Sequence, residues 1–266
     1  MTSSARRPGV DQPSDARLYD VMLGGGHNFQ SDRTLADDVL RDAPCVRIAA
    51  IASRRFLREA TGHMLDQGIT QFLDLGCGVL AAGSVHELAF AVTPDSRVVY
   101  VDRDEVATAQ CELTLHGQPG VRVLTADIRH VRWVLDSDAV RETLDLSRPV
   151  GVLMTALPHF ILDHQDPAAV IAGYRDAVAP GSILALSHLT TDLQPDQVRA
   201  FAKHMAGIGS PFQARTHAEV LALLDGFDVA PPGLVLASNW PSDTGALASE
   251  AIYAGLGRKP GPANAG

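Results

Sequence analysis

Two short runs of the sequence, residues 71–78 and 98–102, constrain the fold of this chain more than any other feature. The first is an apolar strand that leads into a turn containing Gly76 and Gly78, and the second is an apolar strand that ends at Asp102. The glycines let the backbone come close to a ligand, and the carboxylate can accept hydrogen bonds from both hydroxyls of a ribose. Together the two runs predict a site for a nucleotide-like ligand at the carboxyl edge of a parallel sheet.

The glycine turn also bears on which ligand binds there. The third glycine of a dinucleotide fingerprint is missing, since Ala81 stands in its place, and Asp74 comes two residues before Gly76. Dinucleotide enzymes use such a turn and the helix behind it to hold a pyrophosphate, whereas S-adenosylmethionine (SAM) carries no phosphate. The turn therefore favours SAM over NAD, and an ordinary strand–helix turn without a ligand stays a third interpretation.

Composition and charge argue against several classes of protein. The 266 residues are 46% apolar, which is enough for the core of one large domain or two small ones. The formal charge of −9 argues against broad binding to nucleic acids or anionic membranes, which needs a basic surface. No run has the length of a transmembrane helix, and the N-terminus lacks the apolar core of a signal peptide. The three cysteines have no metal-ligand spacing, so we expect a cytoplasmic protein without disulfides or metal.

The sequence divides into four segments. Residues 1–14 are polar and contain proline and glycine, which predicts a flexible N-terminal arm, and residues 259–266 are expected to form a flexible C-terminal tail. Residues 15–68 show helical periodicity without a convincing strand, so they predict a helical lid segment, interrupted by a loop at 23–29. Residues 69–258 alternate strands with helices and form the predicted ligand-binding core.

The core has the βαβ rhythm of a parallel sheet covered on both faces, with helices centred near residues 88, 109, 135 and 173. Near the end, Thr216 and Glu219 predict a capping box that opens a short helix. The runs 227–236 and 251–256 have no crossover helix between them, so they should pair antiparallel. Such a terminal hairpin is typical of SAM-dependent methyltransferases and unusual for NAD domains. The predicted parallel strands are 70–75, 97–101, 121–125, 149–155 and 181–187.

The sequence resembles a known family in long blocks that occur in the same order. They include PSDARLYDVMLGGGHNFQSDR at 13–33, GITQFLDLG at 68–76 and RVVYVD at 97–102, and together they cover roughly residues 13–258. On these blocks the chain resembles the actinobacterial SAM-dependent methyltransferase family formerly called DUF574. The resemblance implies a class I methyltransferase fold, a Rossmann-like and mostly parallel α/β sheet of seven strands with a terminal antiparallel hairpin. It also implies SAM as the cofactor, but little about the methyl acceptor.

Four loops depart from the pattern of that family. The family's GGKDNF is GGGHNF at 24–29, and its GTGLPT is GCGVLA at 76–81. Its DNDP is DRDE at 102–105, and its LHFIPD is PHFILD at 158–163. SAM binding should persist, because the strand-end carboxylates and the turn glycines remain. The choice of acceptor stays open, because several of these loops should border the pocket.

Residues around the glycine turn are the main candidates for contact with the cofactor. Asp102 should bind the ribose, although a carboxylate at a strand end can also cap the next helix. Arg103 should pack near the adenine or stay solvated, and Asp127 should lie near the adenine amino group or cap a helix. The predicted set in this part of the site is Asp74, Gly76, Cys77, Gly78, Asp102, Arg103, Asp127, Ile128 and Ala156.

The N-terminal helical segment supplies a second group of candidates. A helical segment before a methyltransferase core commonly covers the cofactor as a lid. Tyr19 and Asn28, with Gly24 and Gly25 of the loop between helices, could then meet the methionine carboxylate or the acceptor. The alternative is a helix–loop–helix that only braces the structure.

His159 is the candidate catalytic residue. It follows the fourth predicted strand, where it could take a proton from an acceptor hydroxyl or amine. The alternative is a structural histidine bonded to the backbone, because methyl transfer often depends more on alignment of the nucleophile than on a base. His86 is interpreted as structural, and residues 163–166 as a loop that opens a helix rather than a metal site.

These observations predict a SAM-dependent methyltransferase that acts on a small-molecule acceptor. A nucleic-acid acceptor is not expected, because the fourth strand leads to TALP at 155–158 rather than to an Asn/Asp-Pro-Pro-Tyr motif. A SAM-binding protein that transfers no methyl group is an alternative, and an NAD-dependent oxidoreductase is a weaker one. The sequence leaves open whether the chain forms a homo-oligomer.

Overall fold

The structure is a computed structural model that describes residues 9, 11–241 and 251–261. Most of the predicted arm at 1–14 and of the predicted tail at 259–266 lies outside these residues. None of the helices that the structure describes is long and apolar enough to cross a membrane.

The N-terminal segment is helical, as predicted. It forms α1 (Asp15–Met22), α2 (Gln30–Asp42) and α3 (Cys45–Asp66), and the chain between α1 and α2 is the predicted loop. The Ser14 hydroxyl caps α1, since it accepts a hydrogen bond from the Arg17 backbone N–H at 3.2 Å. The long helix α3 then crosses one face of the sheet.

Five parallel strands form the centre of the sheet, in the order β3-β2-β1-β4-β5. The order reverses between β1 and β4, and open α/β sheets bind ligands at such a switch point. The first three strands agree with the prediction, whereas the fourth and fifth begin two residues later than expected. The strands are β1 (Gln71–Leu75), β2 (Arg97–Asp102), β3 (Val121–Thr125), β4 (Gly151–Met154) and β5 (Ile183–Leu189).

Helices cover both faces of this sheet. The helix predicted near residue 135 is two short helices, because Ser137 interrupts the first and caps the second. The sequence did not predict α9. The helices are α4 (Val85–Val92), α5 (Glu105–Thr114), α6 (Val131–Leu135), α7 (Asp138–Arg141), α8 (Pro167–Ala177), α9 (Pro195–Gly207) and α10 (His217–Ala222).

The central strands β1, β4 and β5 are buried along their whole length, as expected for a parallel sheet between helices, whereas the edge strand β3 is partly exposed. On one face, Phe56 and Met64 of α3 belong to the same buried cluster as Phe72 of β1. On the other face, Ile171 and Tyr174 of α8 are buried with the alternate strand residues. The N-terminal helices therefore lie on the face of the sheet that α3 covers.

The terminal strands pair antiparallel, as predicted, but the first run is not one strand. The run 227–236 contains two prolines and a glycine at 231–233, and proline cannot donate a hydrogen bond to a neighbouring strand. It therefore forms two short strands, β6 (Asp228–Val229) and β7 (Val235–Leu236). Both pair antiparallel with β8 (Ile252–Arg258), which pairs antiparallel with β5. The sheet has eight strands rather than the predicted seven.

Candidate functional site

A large cavity lies over the carboxyl ends of β1, β2 and β4, between the sheet and the N-terminal helices. Together with its open mouth it measures about 1270 Å³. This volume includes solvent at the mouth, and the concave, mostly apolar lining is typical of a small-molecule site.

The glycine turn shapes the floor of the cavity. Gly76 and Gly78 have backbone φ angles of +69° and +60°, a region that favours glycine. The Gly76 N–H donates to the Val101 carbonyl at 2.7 Å, which ties the turn to β2. A side chain on Gly76 would also meet Leu157 at 2.4 Å. Both positions therefore favour glycine for their conformation, and Gly76 does so for its packing as well.

Asp102, at the end of β2, is held in place by two backbone N–H groups. Its Oδ2 accepts from the Gly78 N–H at 2.8 Å, and its Oδ1 accepts from the Asp104 N–H at 2.9 Å. Burial raises the pKa of the Asp102 carboxyl to about 6, in spite of these hydrogen bonds. The carboxyl lies on the cavity wall, where the sequence analysis expected a ribose.

Asp74, at the end of β1, is buried at 4% exposure but lines the cavity. Within the described residues, no donor forms a hydrogen bond with its carboxyl group. Burial raises its pKa to about 7, and the nearby Arg54 guanidinium opposes this shift. A carboxyl in this setting is suited to a cationic ligand, whose charge would replace the lost hydration.

The predicted adenine end contains Arg103 and Asp127, both on the cavity wall. Arg103 forms an ion pair with Asp15 of α1 at 2.7 Å and donates to the Ser210 hydroxyl at 3.0 Å. Asp127 accepts from the Arg129 Nε at 2.9 Å. Burial acts to raise the pKa of Asp127, but the hydrogen bonds from Arg129 hold it below its ordinary value.

Three more predicted residues also line the cavity: Cys77, Ile128 and Ala156. The neighbouring Cys111 thiol, together with burial, raises the pKa of the Cys77 thiol well above its ordinary value, so Cys77 is not an activated nucleophile. Ala156 has a left-handed backbone with a φ of +52°, and its N–H donates to the Ser187 hydroxyl at 2.7 Å.

The N-terminal candidates divide into two groups. Tyr19 lines the cavity, and its hydroxyl donates to the Ala50 carbonyl at 3.1 Å. The loop residues Gly24, Gly25 and Asn28 are not among the lining residues. Their contact with the cofactor therefore stays a prediction that the lining of this cavity does not support.

Asp20 explains the conformation of that loop. Its Oδ2 accepts from the His27 N–H at 2.9 Å and from the Asn28 side-chain amide at 2.8 Å. A side chain at Gly25 would lie 1.9 Å from the Asp20 Oδ1. The glycines and Asn28 thus close the loop around a buried carboxylate of α1 instead of reaching the cavity.

A buried ion pair fixes the N-terminal helices to the core. The Arg17 Nε lies 2.9 Å from the Asp32 Oδ2, which joins α1 to α2, and neither side chain is exposed. The Arg17 Nη1 lies 3.6 Å from the Asp104 Oδ2, two residues after the predicted ribose carboxylate. The N-terminal helices are therefore anchored to the loop that also holds Asp102.

His159 lies on the cavity wall, but its ring is almost completely buried. The Leu189 N–H donates to its Nδ1 at a long distance of 3.5 Å, which leaves Nε2 to carry the proton of a neutral ring. Burial, with the neighbouring His188 and Arg215, lowers its pKa well below the ordinary value. This arrangement favours the structural alternative, and the catalytic role of His159 stays a prediction.

Sequence reasoning missed several residues of the cavity. Phe201 and Met205 of α9 line it, as do Leu189 of β5 and Arg54 of α3. The helix α9 does carry a signal, namely a proline at its first position and apolar residues at 198, 201 and 205. No sequence motif marks Arg54, which comes into the site through the packing of α3 on the sheet.

The order of the strands and the antiparallel last strand are those of the class I methyltransferase fold. An O-methyltransferase family protein from Burkholderia thailandensis has this fold, with a TM-score of 0.55 and 14% identity over 91% of this chain and 67% of that chain. A model of the S-adenosyl methyltransferase family matches residues 2–260. The chain belongs to this family and is a SAM-dependent methyltransferase.

Two solved structures resemble the chain over almost its whole length. A DUF574 family protein from Streptomyces avermitilis is 32% identical, with a TM-score of 0.89 over 95% of this chain and 100% of that chain. A candidate methyltransferase from Thermobifida fusca is 34% identical, with a TM-score of 0.88 over 97% of this chain and 100% of that chain. These similarities confirm the resemblance to the DUF574 family. No curated protein matches the sequence.

Proposed function

We propose that the chain binds SAM across the carboxyl ends of β1, β2 and β4 and transfers its methyl group to a neutral, largely apolar small molecule. The distribution of charge in the cavity carries this proposal. Charged side chains occur along the half formed by the ends of β1, β2 and β3 and by the N-terminal helices that cover them. In the other half, formed by the chain after β4 and by β5, α9 and β8, His159 is the only titratable group among the described lining residues, and its lowered pKa keeps it neutral.

The charged half fits SAM. Asp102 faces the cavity at the end of β2 and is oriented by two N–H groups, so it can accept from both ribose hydroxyls. Arg103 and Asp127 border the space assigned to the adenine, and Asp74 borders the space assigned to the methionine end. When bound, SAM supplies an electrophilic methyl group on a sulfonium.

The apolar half fits an acceptor without charge. A charged acceptor would lose its hydration there without gaining an ion pair, which costs several kcal/mol. An aliphatic or aromatic body would instead bury its surface at a gain of roughly 25 cal/mol per Å². The residues of this half are Thr155, Ala156, Leu157, His159, Phe160, Ile161, Leu189, Phe201, Met205 and Ile252.

The contribution of the protein to methyl transfer is alignment and exclusion of water. Apolar side chains of α1, α3 and α9, among them Met22, Val46 and Phe201, close over the sheet and hold the two ligands together. Orientation of this kind can supply several kcal/mol of the barrier reduction without a strong base. The neutral ring of His159 would serve at most as a hydrogen-bond partner for the acceptor.

The test is formation of S-adenosylhomocysteine from SAM with a panel of neutral aromatic and aliphatic alcohols or amines. Each compound is matched with an analogue that carries a carboxylate or quaternary ammonium. We expect turnover with neutral members and at least tenfold less with their charged analogues. Equal or better turnover of the charged analogues would contradict an apolar acceptor. Cofactor binding without any S-adenosylhomocysteine would favour the non-methylating alternative.

A variant pair locates the acceptor in the cavity. Met205→Lys places a charge in the apolar half, and Met205→Leu keeps it apolar at similar volume. We expect Met205→Lys to lose turnover of the neutral acceptor while keeping affinity for S-adenosylhomocysteine, and Met205→Leu to retain both. Full activity of a folded Met205→Lys would show that the acceptor binds elsewhere.

A further inference from the structure

We infer that Arg54 of α3 binds the carboxylate at the amino-acid end of the cofactor, opposite Asp74, which receives the ammonium group. This inference rests on the proposed binding of SAM in the cavity. It assigns a role to a residue that no sequence motif marks, and it makes the cofactor a bridge between the N-terminal segment and the sheet.

The guanidinium of Arg54 makes only some of the hydrogen bonds that it can donate. Its Nη2 donates to the Ala81 carbonyl at 2.9 Å, which places it beside the loop that follows the glycine turn. Its Nε is buried and has no hydrogen-bond partner among the residues that the structure describes. Arg54 nevertheless lines the cavity, so a ligand there can reach it.

Asp74 needs a hydrogen-bond donor, just as Arg54 needs an acceptor. It is nearly buried and lines the same cavity, and no described residue donates a hydrogen bond to its carboxyl group. Arg54 is close enough to Asp74 to lower the pKa of its carboxyl, although burial raises that pKa by more. Yet the structure contains no ion pair of 4.0 Å or less between them among the described residues.

A buried acid and a partly buried base that line one cavity without pairing match a zwitterionic ligand. A polar group left buried without a partner costs roughly 1–3 kcal/mol, and more when it is charged. The α-carboxylate and α-ammonium of the methionine moiety supply an acceptor for Arg54 and a donor for Asp74. Both unsatisfied groups are then explained by one ligand.

The other carboxylate partners suggested by the sequence do not fit as well. The Tyr19 hydroxyl already donates to the Ala50 carbonyl, and Asn28 lies outside the cavity with its amide bonded to Asp20. Arg54 is the basic side chain on the wall of the cavity that comes from α3. The remaining arginines of the wall, Arg103 and Arg129, form ion pairs at the predicted adenine end.

The test compares SAM with decarboxylated SAM, which keeps the adenosine, the sulfonium and the amine but lacks the carboxylate. Both ligands are titrated calorimetrically into the wild type, Arg54→Gln and the control Arg58→Gln. Arg58 lies one turn further along α3, is exposed, and does not line the cavity. Arg54→Lys serves as a second variant if Arg54→Gln does not fold.

We expect the wild type and Arg58→Gln to bind SAM at least tenfold more tightly than decarboxylated SAM. In Arg54→Gln this preference should collapse to less than threefold, through loss of affinity for SAM alone. In Arg54→Lys it should be reduced, because a lysine keeps the charge but not the geometry of the guanidinium.

Two results would overturn the inference while leaving the proposed function in place. One is equal binding of both ligands by the wild type. The other is an equal loss for both ligands in Arg54→Gln, which would mean that Arg54 only supports the loop through the Ala81 carbonyl. If the folded wild type bound neither SAM nor S-adenosylhomocysteine, the proposed function itself would fail, and the inference with it.

Discussion

The backbone N–H of Gly78 donates to the carboxylate of Asp102 at 2.8 Å. This contact joins the glycine turn after β1 to the carboxylate at the end of β2, the two features that stand out in the sequence. It also orients the carboxylate before any ligand arrives, because one face of Asp102 is held by the turn and the other by the N–H of Asp104. The predictions below follow from this arrangement and from its connections to the N-terminal helices.

The glycine turn predicts different effects for two matched substitutions. Gly76→Ala and Gly117→Ala both force an alanine into a left-handed backbone, with φ angles of +69° and +75°. Each should lower the free energy of unfolding by about 1–2 kcal/mol. Gly76→Ala adds a clash with Leu157, whereas Gly117 has open space around it.

We therefore expect only Gly76→Ala to weaken binding of S-adenosylhomocysteine, by at least tenfold. Chemical denaturation and calorimetric titration of both variants provide the measurements. Equal affinity in the two variants would show that the turn does not contact the cofactor.

The buried carboxyl of Asp74 predicts a pH dependence of stability. Burial raises its pKa to about 7, so the folded protein keeps a proton that the unfolded chain loses near pH 4. The contribution of Asp74 to stability is therefore present at low pH and is lost as the pH rises through about 7. Asp74→Asn resembles the protonated form and has no proton to lose.

Unfolding of the free proteins at pH 5 and pH 8 tests this. The wild type should lose stability relative to Asp74→Asn between pH 5 and pH 8, so the advantage of the variant should grow by at least about 1 kcal/mol over this range. The control Asp95→Asn, at an exposed position, should follow the wild type at both values. A difference between wild type and Asp74→Asn that does not change with pH would contradict the raised pKa.

The buried pair of Arg17 and Asp32 predicts a large loss of stability when one partner is removed. Arg17→Met leaves the carboxylates of Asp32 and Asp104 buried without their counter-charge, which should cost about 3–5 kcal/mol. The control Arg41→Met removes an exposed partner of Asp38 and should cost about 1 kcal/mol or less. Similar midpoints of urea unfolding for the two variants would show that the buried pair does not anchor the helices.

His159 tests whether methyl transfer uses a base. We expect His159→Asn to lower kcat by about tenfold or less, whereas loss of a general base costs 10²–10⁴-fold. Because burial lowers the pKa of His159 well below its ordinary value, the pH–rate profile should show no histidine ionisation near neutral pH. A loss above a hundredfold, together with an ionisation that disappears in the variant, would make His159 the catalytic base.

Local patterns predict the part of the fold and site that depends on short stretches of sequence. The strands β1 and β2 are mainly apolar runs, which the sequence predicts directly. The turn glycines come just after β1 and Asp102 ends β2, so the sequence also predicts this half of the cavity. The run 227–236 forms two strands instead of one because of its two prolines. This cause is also local, although the strand-like pattern of the run predicted a single strand.

Long-range packing determines the rest. Arg54 is one of several arginines on α3, and only the position of that helix over the sheet brings it to the cavity. Gly24, Gly25 and Asn28 have the composition of a ligand loop, but Asn28 donates to the buried carboxylate of Asp20 and the two glycines donate to backbone carbonyls of α1. The helix α9 supplies Phe201 and Met205 to the acceptor half from a distant part of the sequence. Neither the spacing nor the composition of the sequence predicts which distant residues come together at the cavity.

The most direct test is calorimetric titration of the wild type and Asp102→Ala with S-adenosylhomocysteine, with the exposed Asp95→Ala as control. We predict micromolar affinity, about −8 kcal/mol, for the wild type and the control. A folded Asp102→Ala should bind at least tenfold more weakly, because the ribose hydroxyls lose their acceptor. Unchanged affinity in Asp102→Ala, or no binding by the folded wild type, would contradict the assignment of this cavity to SAM.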